Sequence, residues 1–491
     1  MLVTATLICT IVTLLLIYLI LRNNLHLKDI PKPEANLFWG HLTTLADRSA
    51  QLKKVAELTQ KYGGLIRLYI PPKRPAVLVA DKDILQNILN NENALEKSQD
   101  YQYLKVWLGE GLITGGGVQW RNRRRMLTPC FGRMSTLKHF VQIFEKLGDV
   151  LVEKFNEQLD NPSFDVFPHM KLFTLDVICE TSMGIITNCQ RDGNTSYCQS
   201  IEEMTRIAIR RMLSPLKRFD AFYQFTNDYQ KQKEALKEID AFYENIISNK
   251  KRTMSSKSVE EDEDGSKQNF LDQLLRHQEN GEALSDKDIQ EEINTFMFGG
   301  HDTTATGLSF ILYSLARHPN VQEKVLEEQE TIFGSLEKDP EVTYAHLQDM
   351  KYLDAVINEA LRLYPPIPVF GRKLTDDIKL ENGVVLPKTL SIGFTVYSVH
   401  HNPEYFPDPE KFLPERFLKD DIMPYTHLPF SAGPRSCIGK KFAMLQIKSC
   451  ISKISRHFKL LPSIPDYELK LMPEITLVSK NGMRISLEKR T

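Results

Sequence analysis

Near the C-terminal end of the chain one cysteine sits in a setting that few folds can supply, the segment Phe430-Ser431-Ala432-Gly433-Pro434-Arg435-Ser436-Cys437-Ile438-Gly439. Gly433 permits a tight loop ahead of the thiol, and Gly439 lets a flat ligand come close to the backbone. Beyond it, Met444, Ile447, Ile451, Ile454 and Phe458 recur at helical spacing, which predicts a helix starting just after the cysteine. The dipole and free N–H groups of a helix N-terminus are expected to lower the pKa of Cys437. Arg435 adds a cation suited to a carboxylate. A lone cysteine is usually an inert buried thiol, but here the whole segment speaks for a ligand.

The other cysteines, Cys9, Cys130, Cys179, Cys189, Cys198 and Cys450, are scattered and bring the total to an odd 7. None has CxxC spacing, which excludes a disulfide framework or structural zinc site and predicts a reducing compartment. The formal net charge of -1 gives no global reason for a nucleic-acid partner, so any electrostatic partner must meet a local patch.

Leu2 to Leu21 carries no charge, and its length matches a bilayer core of roughly 30 Å. A cleaved signal peptide would need a basic start, a shorter apolar run and a small-residue cleavage site. Residues 1–22 therefore read as a membrane anchor, and Arg22 and Lys28 after it place the following body on the cytosolic side. Ile30-Pro31-Lys32-Pro33 is stiff, so 23–36 reads as a hinge and 37–491 as one large domain. Lys250 to Lys267, with the acidic run Glu260 to Asp264, is expected to be a solvated loop. Helical periodicity dominates elsewhere. The longest helix begins at Ser285, where Asp288 completes a capping box, and runs through Phe296, Gly300, Thr303 and Leu312 to His318-Pro319. Short β-prone runs occur at Leu65–Ile70 with Ala76–Ala80 and at Ile378–Leu390. The class is mainly α (α+β), with small sheets.

The cysteine segment matches every fixed position of F-x-x-G-x-R-x-C-x-G and so resembles the haem-binding loop of the cytochrome P-450 superfamily. The likeness extends in order along the chain. Gly299-Gly300-His301-Asp302-Thr303-Thr304 resembles the oxygen-activation segment of the family's long central helix, and Trp120 with Arg124 its W-x-x-x-R helix. Glu359-Ala360-Leu361-Arg362 resembles its E-x-x-R helix, and Pro414-Glu415-Arg416-Phe417 its P-E-R-F segment. The resemblance implies the cytochrome P-450 fold and a haem b whose iron is ligated by Cys437, a donation that favours O–O cleavage. It further implies that Trp120, Arg124, Arg372 and Arg435 hold the propionates, that Phe430 and Gly439 lie against the cofactor, and that Asp302 and Thr303 relay protons. Without it, Gly299-Gly300 is a helix irregularity and Thr303 bonds a carbonyl one turn back. Glu359 and Arg362 stand three apart and can pair, with Arg416 as third member; the cluster is structural. With Arg124 turned inward, Arg121, Arg123, Arg125, Lys440 and Lys441 make a basic docking face for NADPH–cytochrome P-450 reductase, with cytochrome b5 a second candidate donor. The bland reading of the arginine run is a solvated or nucleic-acid-binding patch.

Glu292 to Thr304 and Arg124-Arg125-Met126-Leu127-Thr128-Pro129 are similar to longer signatures of the fourth eukaryotic family. Its members hydroxylate fatty acids and related lipids, often at the terminal carbon, and insect members also act on hormones and foreign compounds. Gly299 stands where many members carry a Glu that forms an ester with a haem methyl, so non-covalent haem is expected. Asn294 replaces an acid common there. Phe296, Met297, Phe298, Val369 and Phe370 line a lipid pocket or serve the core. The resemblance thus implies a monooxygenase that uses O2 and NADPH-derived electrons on a lipophilic substrate at the cytosolic face of the endoplasmic reticulum membrane. Two rivals stay open: a haem-thiolate isomerase or dehydratase of lipid peroxides, and a non-enzymatic membrane haem protein.

Overall fold

The computed structural model describes residues 6, 10, 11, 13, 27–36, 39–69, 75–214, 216–256, 269–280, 284–336, 339–419 and 421–490. The helices that frame the site are α1 (Gly117–Leu127), α2 (Met134–Asn156), α3 (Val166–Ile178), α4 (Ser196–Leu213), α5 (Asn227–Ser256), α6 (Asp286–Arg317), α7 (Lys351–Leu363) and α8 (Lys440–His457). The strands are β1 (Leu65–Leu68), β2 (Ala76–Val79), β3 (Glu96–Lys97), β4 (Phe164–Asp165), β5 (Val369–Lys373), β6 (Ile378–Lys379), β7 (Val385–Leu386), β8 (Ser391–Thr395), β9 (Phe458–Pro462), β10 (Leu471–Pro473), β11 (Leu477–Ser479) and β12 (Arg484–Lys489).

The axis is α6. Ser285 Oγ accepts from the Asp288 N–H at 3.2 Å while Asp288 Oδ2 accepts from the Ser285 N–H at 2.9 Å, the reciprocal cap that the sequence predicts. Its 32 residues reach about 48 Å before Pro319 ends it. Almost every side chain from Ile289 to Ala316 is buried, so the helix is enclosed rather than amphipathic. Its polar residues must then find partners inside: Ser309 and Ser314 return their hydroxyls to the carbonyls one turn back, each at 2.7 Å. Helix α3 packs along α6, and α7 and α8 close on it.

Five strands form the main sheet in the order β1-β2-β8-β5-β3. Only β2 and β8 run parallel, and β5 sets Arg372 across from Lys97 of β3. Val77, Val79, Ile392 and Phe394 bury the inner face together with Leu27 and Ile30. Seating those last two side chains contributes roughly 1.5–3 kcal/mol each. The Pro31 carbonyl accepts from the Arg67 N–H at 2.9 Å. His41 takes the Tyr69 N–H on Nδ1 at 2.8 Å and gives its Nε2–H to the Pro33 carbonyl at 3.1 Å. The stiff Ile30–Pro33 segment is thus hydrogen-bonded to the body. The expected anchor, 1–22, lies almost wholly outside the described residues, among which no helix is long and apolar enough to cross a membrane.

Two expectations change. Lys250 does not open a loop: α5 continues to Ser256, and Lys250 reaches Asp272 at 2.6 Å; residues 257–268 lie outside the described ones. The stripe after the cysteine is helical only to His457, and Phe458 is fully buried as the first residue of β9.

Beneath the cysteine loop lies the Glu–Arg–Arg cluster. Arg362 grips Glu359 with two bonds, Nε to Oε2 at 2.7 Å and Nη2 to Oε1 at 2.8 Å, and Arg416 Nε reaches Oε1 at 3.1 Å. Glu359 and Arg362 are both 0% exposed.

Candidate active site

A cavity of about 980 Å³ lies between α6, the cysteine loop, α1 and β5. This is the upper end of the roughly 300–1,000 Å³ typical of small-molecule sites, a size that suits a large cofactor with a substrate beside it.

The loop carrying Cys437 is shaped by its glycine. Gly433 has φ +70°, and a Cβ there would stand 2.2 Å from the Leu89 carbonyl oxygen, so a side chain is excluded by both strain and space. The turn returns the Cys437 N–H to the Phe430 carbonyl at 2.9 Å. Cys437 is accessible from the cavity and is the one cysteine lining it among the described residues. Protein atoms enclose the thiol elsewhere, and this burial pushes its pKa up, with the Gly439 N–H, Arg124 and Lys440 acting in the other direction. The expected low pKa is therefore corrected: desolvation outweighs the start of α8, which is capped by Gly439 two residues further on. A cation bound at Sγ is what would favour the thiolate.

Beside the thiol, cations gather. Arg435 stacks on Trp120, its guanidinium carbon 3.6 Å from the ring centroid. It donates to the carbonyls of Leu95 at 3.0 Å, Leu112 at 3.3 Å and Gly115 at 2.7 Å. Arg372 is buried, and Arg124 half-buried, on the same cavity. Lys97 joins them, a residue that sequence reasoning missed because its place beside Arg372 depends on the pairing of β3 with β5. Burial, then repulsion from Arg372, Arg435 and Arg124, holds the Lys97 ammonium well below the usual lysine range. Burial, then Arg372, brings Arg435 down to about 9. Among the described residues, no carboxylate forms an ion pair with any of the four. Glu96 is the nearest influence, and its carboxylate accepts from the Gly117 N–H at 2.7 Å. Buried cations without counter-charge are costly. A planar ligand bearing two carboxylates and a metal that takes a thiolate matches this donor set; haem has that chemistry.

On α6, Gly299, Gly300, Thr303 and Thr304 face the cavity. Thr303 donates its hydroxyl to the Gly299 carbonyl at 2.8 Å, the back-bonded geometry of the simpler reading. A Cβ at Gly299 would touch only Ile113, at 3.5 Å, so a larger residue has room. Asp302, expected to share the cavity with Thr303, does not line it. A step of one residue turns the side chain about 100° round the helix, to where Asp302 Oδ1 meets Lys171 Nζ at 3.1 Å and Oδ2 accepts from the Thr476 hydroxyl at 2.6 Å. Burial alone would raise its carboxyl, but Lys171, His301 and Thr476 outweigh that and hold it below the usual range. Lys171 and Thr476 had no signal in the sequence.

The same rotation separates other neighbours. Phe296, Phe298, Val369 and Phe370 line the cavity, whereas Met297 is fully buried in the core and does not. Arg123, expected on the docking face, is buried against Glu292 at 3.2 Å, Glu291 at 3.4 Å and Asp288. Arg121, Arg125, Lys440 and Lys441 are exposed. Burial pushes Glu292 up to about 7 against the pull of Arg123. Glu292 also accepts from the Leu112 N–H at 3.2 Å, while the Leu112 carbonyl serves Arg435. Asn294 has a physical reason as well: it donates its amide to the Trp107 carbonyl at 2.6 Å, which a carboxylate cannot do.

Comparison with known proteins agrees with this site. The sequence pattern of the cytochrome P-450 family matches residues 30–484. Cytochrome P-450 4d2 of Drosophila melanogaster is 37% identical over 476 residues, covering 94% of each chain. Cytochrome P-450 4V2 of Rattus norvegicus is 35% identical over 468 residues, covering 92% of this chain and 88% of its own. Leukotriene-B4 omega-hydroxylase 3 of Mus musculus is 35% identical over 488 residues, covering 97% and 92%. A match of this extent, over a chain whose helical body encloses a cysteine-lined cavity, shows that the protein belongs to the cytochrome P-450 family of haem-binding monooxygenases, among relatives of its fourth family.

Proposed function

We propose that Cys437 ligates the haem iron in this cavity and that the enzyme hydroxylates a lipid of the fatty-acid type. What carries the assignment is the meeting, in one cavity, of the accessible Cys437 thiol with four cations, Arg372 and Arg435 buried and Lys97 and Arg124 half-buried, that no carboxylate among the described residues pairs with. Haem, when bound, activates O2 so that one oxygen atom enters a C–H bond and the other leaves as water. Lys97, Arg124, Arg372 and Arg435 would bind its carboxylates, with Arg435 stacked on the Trp120 ring. Phe430 and Gly439 bound the thiol side. Thr303 presents a hydroxyl to the cavity. Asp302 leads away from it through Lys171 to Glu202, at 2.8 Å, and Glu202 meets the half-exposed Arg206 at 2.9 Å. This chain of groups supplies protons from solvent once Asp302 turns toward Thr303.

Phe296, Phe298, Val369 and Ile475 give the remaining wall an apolar surface, and a relative named for leukotriene B4 omega-hydroxylation supports a lipid with a chain to oxidise. Gly299 carries no carboxylate, so the haem is held without an ester. Residues 1–22 anchor the enzyme in the endoplasmic reticulum membrane with its body in the cytosol. Lys440, Lys441, Arg121 and Arg125 receive an acidic NADPH-dependent reductase or cytochrome b5.

The test joins spectroscopy to product analysis. The reduced protein under carbon monoxide should show the long-wavelength Soret band of thiolate ligation, and Cys437→Ala should abolish band and turnover together. With reductase, NADPH and a mixed library of fatty acids, sterols and xenobiotics, a hydroxylated lipid should appear. A band that survives Cys437→Ala would refute the ligand, and turnover confined to non-lipid members would refute the substrate class.

A further inference from the structure

We infer that Thr476, at the tip of the β10–β11 hairpin, is a positioning residue that holds the Asp302 carboxylate out of the cavity until a substrate displaces the tip. The inference rests on the proton-relay role proposed for Asp302.

The hairpin presents two sides to two sites. Glu474 and Ile475 line the cavity, while Thr476, next in sequence, is 3% exposed and gives its hydroxyl to Asp302 Oδ2. Both legs of the hairpin are fixed. Arg48 Nη2 holds the Pro473 carbonyl at 2.9 Å, and the Leu477 N–H holds the Pro366 carbonyl at 2.9 Å. The three residues between them are joined by one internal bond, Glu474 N–H to the Thr476 carbonyl at 3.2 Å. A molecule pressing on Glu474 or Ile475 therefore moves the tip rather than the legs.

Asp302 has two holders, and they differ. Lys171 sits on α3, is nearly fully buried and is itself tied to Glu202, so it stays in place. Thr476 sits on the tip that substrate can touch. A hydrogen bond to a buried carboxylate is among the stronger ones in a protein, and its release lets the carboxylate turn one helix step toward Thr303. A proton that Asp302 passes inward is replaced from solvent through Glu202 and Lys171. Thr476 thereby links the filling of the cavity to proton supply, and it restrains consumption of reductant while the cavity is empty.

The experiment uses the full chain with reductase, NADPH and a lipid substrate identified as above. Three readouts are taken with and without lipid: NADPH consumed, product formed per NADPH, and the solvent deuterium isotope effect. Thr476→Val should keep the reduced carbon monoxide band, raise lipid-free NADPH consumption several-fold, and shrink the lipid-dependent difference in isotope effect. Thr476→Ser, which keeps the hydroxyl, should restore wild-type ratios. Should Thr476→Val not fold, Thr476→Ala removes the same bond with less bulk and is read the same way. Wild-type ratios and isotope effects in the hydroxyl-free variant would overturn the inference, as would failure of Thr476→Ser to restore them. Asp302→Asn separates the two layers. If it too behaves as wild type, the relay itself is wrong; if it alters coupling while the hydroxyl-free variant does not, only the role of Thr476 falls.

Discussion

Replacing Arg362 with lysine keeps the charge and removes the geometry. Arg362 engages all five of its N–H groups: Nε and Nη2 on Glu359, Nη1 on the carbonyls of His400 and Pro409 at 2.8 Å each, and Nη2 also on the Lys411 carbonyl at 3.1 Å. An ammonium has three donors from one point, so at least two of these acceptors lose their partner. Each buried acceptor left unpaired costs about 1–3 kcal/mol, which predicts a loss of about 2–6 kcal/mol. Against a total stability on the order of 5–15 kcal/mol, that is a large share. The loss falls where it affects the cofactor: the same glutamate also accepts from the Leu413 N–H at 2.9 Å and from Arg416, so the segment leading to the cysteine loop is tied to this cluster. Urea unfolding followed by fluorescence, with the amplitude of the reduced carbon monoxide band, reads both effects. The midpoint should fall with an unchanged slope, and the fraction of protein showing the band should fall with it. A stability within about 0.5 kcal/mol of wild type, the usual range of a neutral surface change, would refute the reasoning that the fork geometry matters.

Gly433→Ala should lower both stability and the reduced carbon monoxide band, since the left-handed backbone alone costs about 1–2 kcal/mol before the clash with the Leu89 carbonyl is counted; a variant with full band and wild-type unfolding midpoint would contradict it. Haem should leave the wild-type chain in acidified organic solvent, whereas Gly299→Glu, which has room for its side chain, should retain part of it covalently, as chromatography of the extracted protein will show. Stability should fall as pH drops below about 6.5, because burial first, and for His400 also His427, His401 and Arg362, holds His400 well below its ordinary value, while His301, His401 and His427 are lowered to about 3. The folded state then binds fewer protons than the unfolded one, so this stability is complete above pH 6.5 and is lost on the way down, by up to about 1.4 kcal/mol per pH unit for each group. Glu292, raised to about 7, works in the opposite direction as pH rises from 4.5 to 7, but is outnumbered. His400→Gln can still accept from the Leu428 N–H and donate to the Arg362 carbonyl, the two bonds His400 makes at 2.8 and 3.1 Å. It should flatten the pH dependence of the urea midpoint by about one proton, and an unchanged slope would show that His400 titrates as it does in the unfolded chain.

Legibility followed the range of the cause. The cap at Ser285, the stop at Pro319, the glycine in the cysteine loop and the Glu359–Arg362 pair all act within a few residues, and each is written locally in the chain. Lys97 was silent because its role comes from Arg372, far along the chain on a neighbouring strand. Lys171 and Thr476 were silent for the same reason: what they share is Asp302, and only the packing of α3 and of the β10–β11 hairpin against α6 brings them there. The positions that differ have one cause as well. Asp302 does not share the cavity with Thr303, Arg123 does not share the surface of Arg121 and Arg125, and Met297 takes the core alternative while Phe296 and Phe298 take the pocket, because a helix turns adjacent side chains about 100° apart. On an exposed helix the apolar stripe would have shown which of two neighbours faces inward. On α6 there is no such stripe, because almost every position is buried. A motif there names the chemistry its residues can perform, and the packing of the surrounding helices decides which of them meet the cavity and which hold the frame that shapes it.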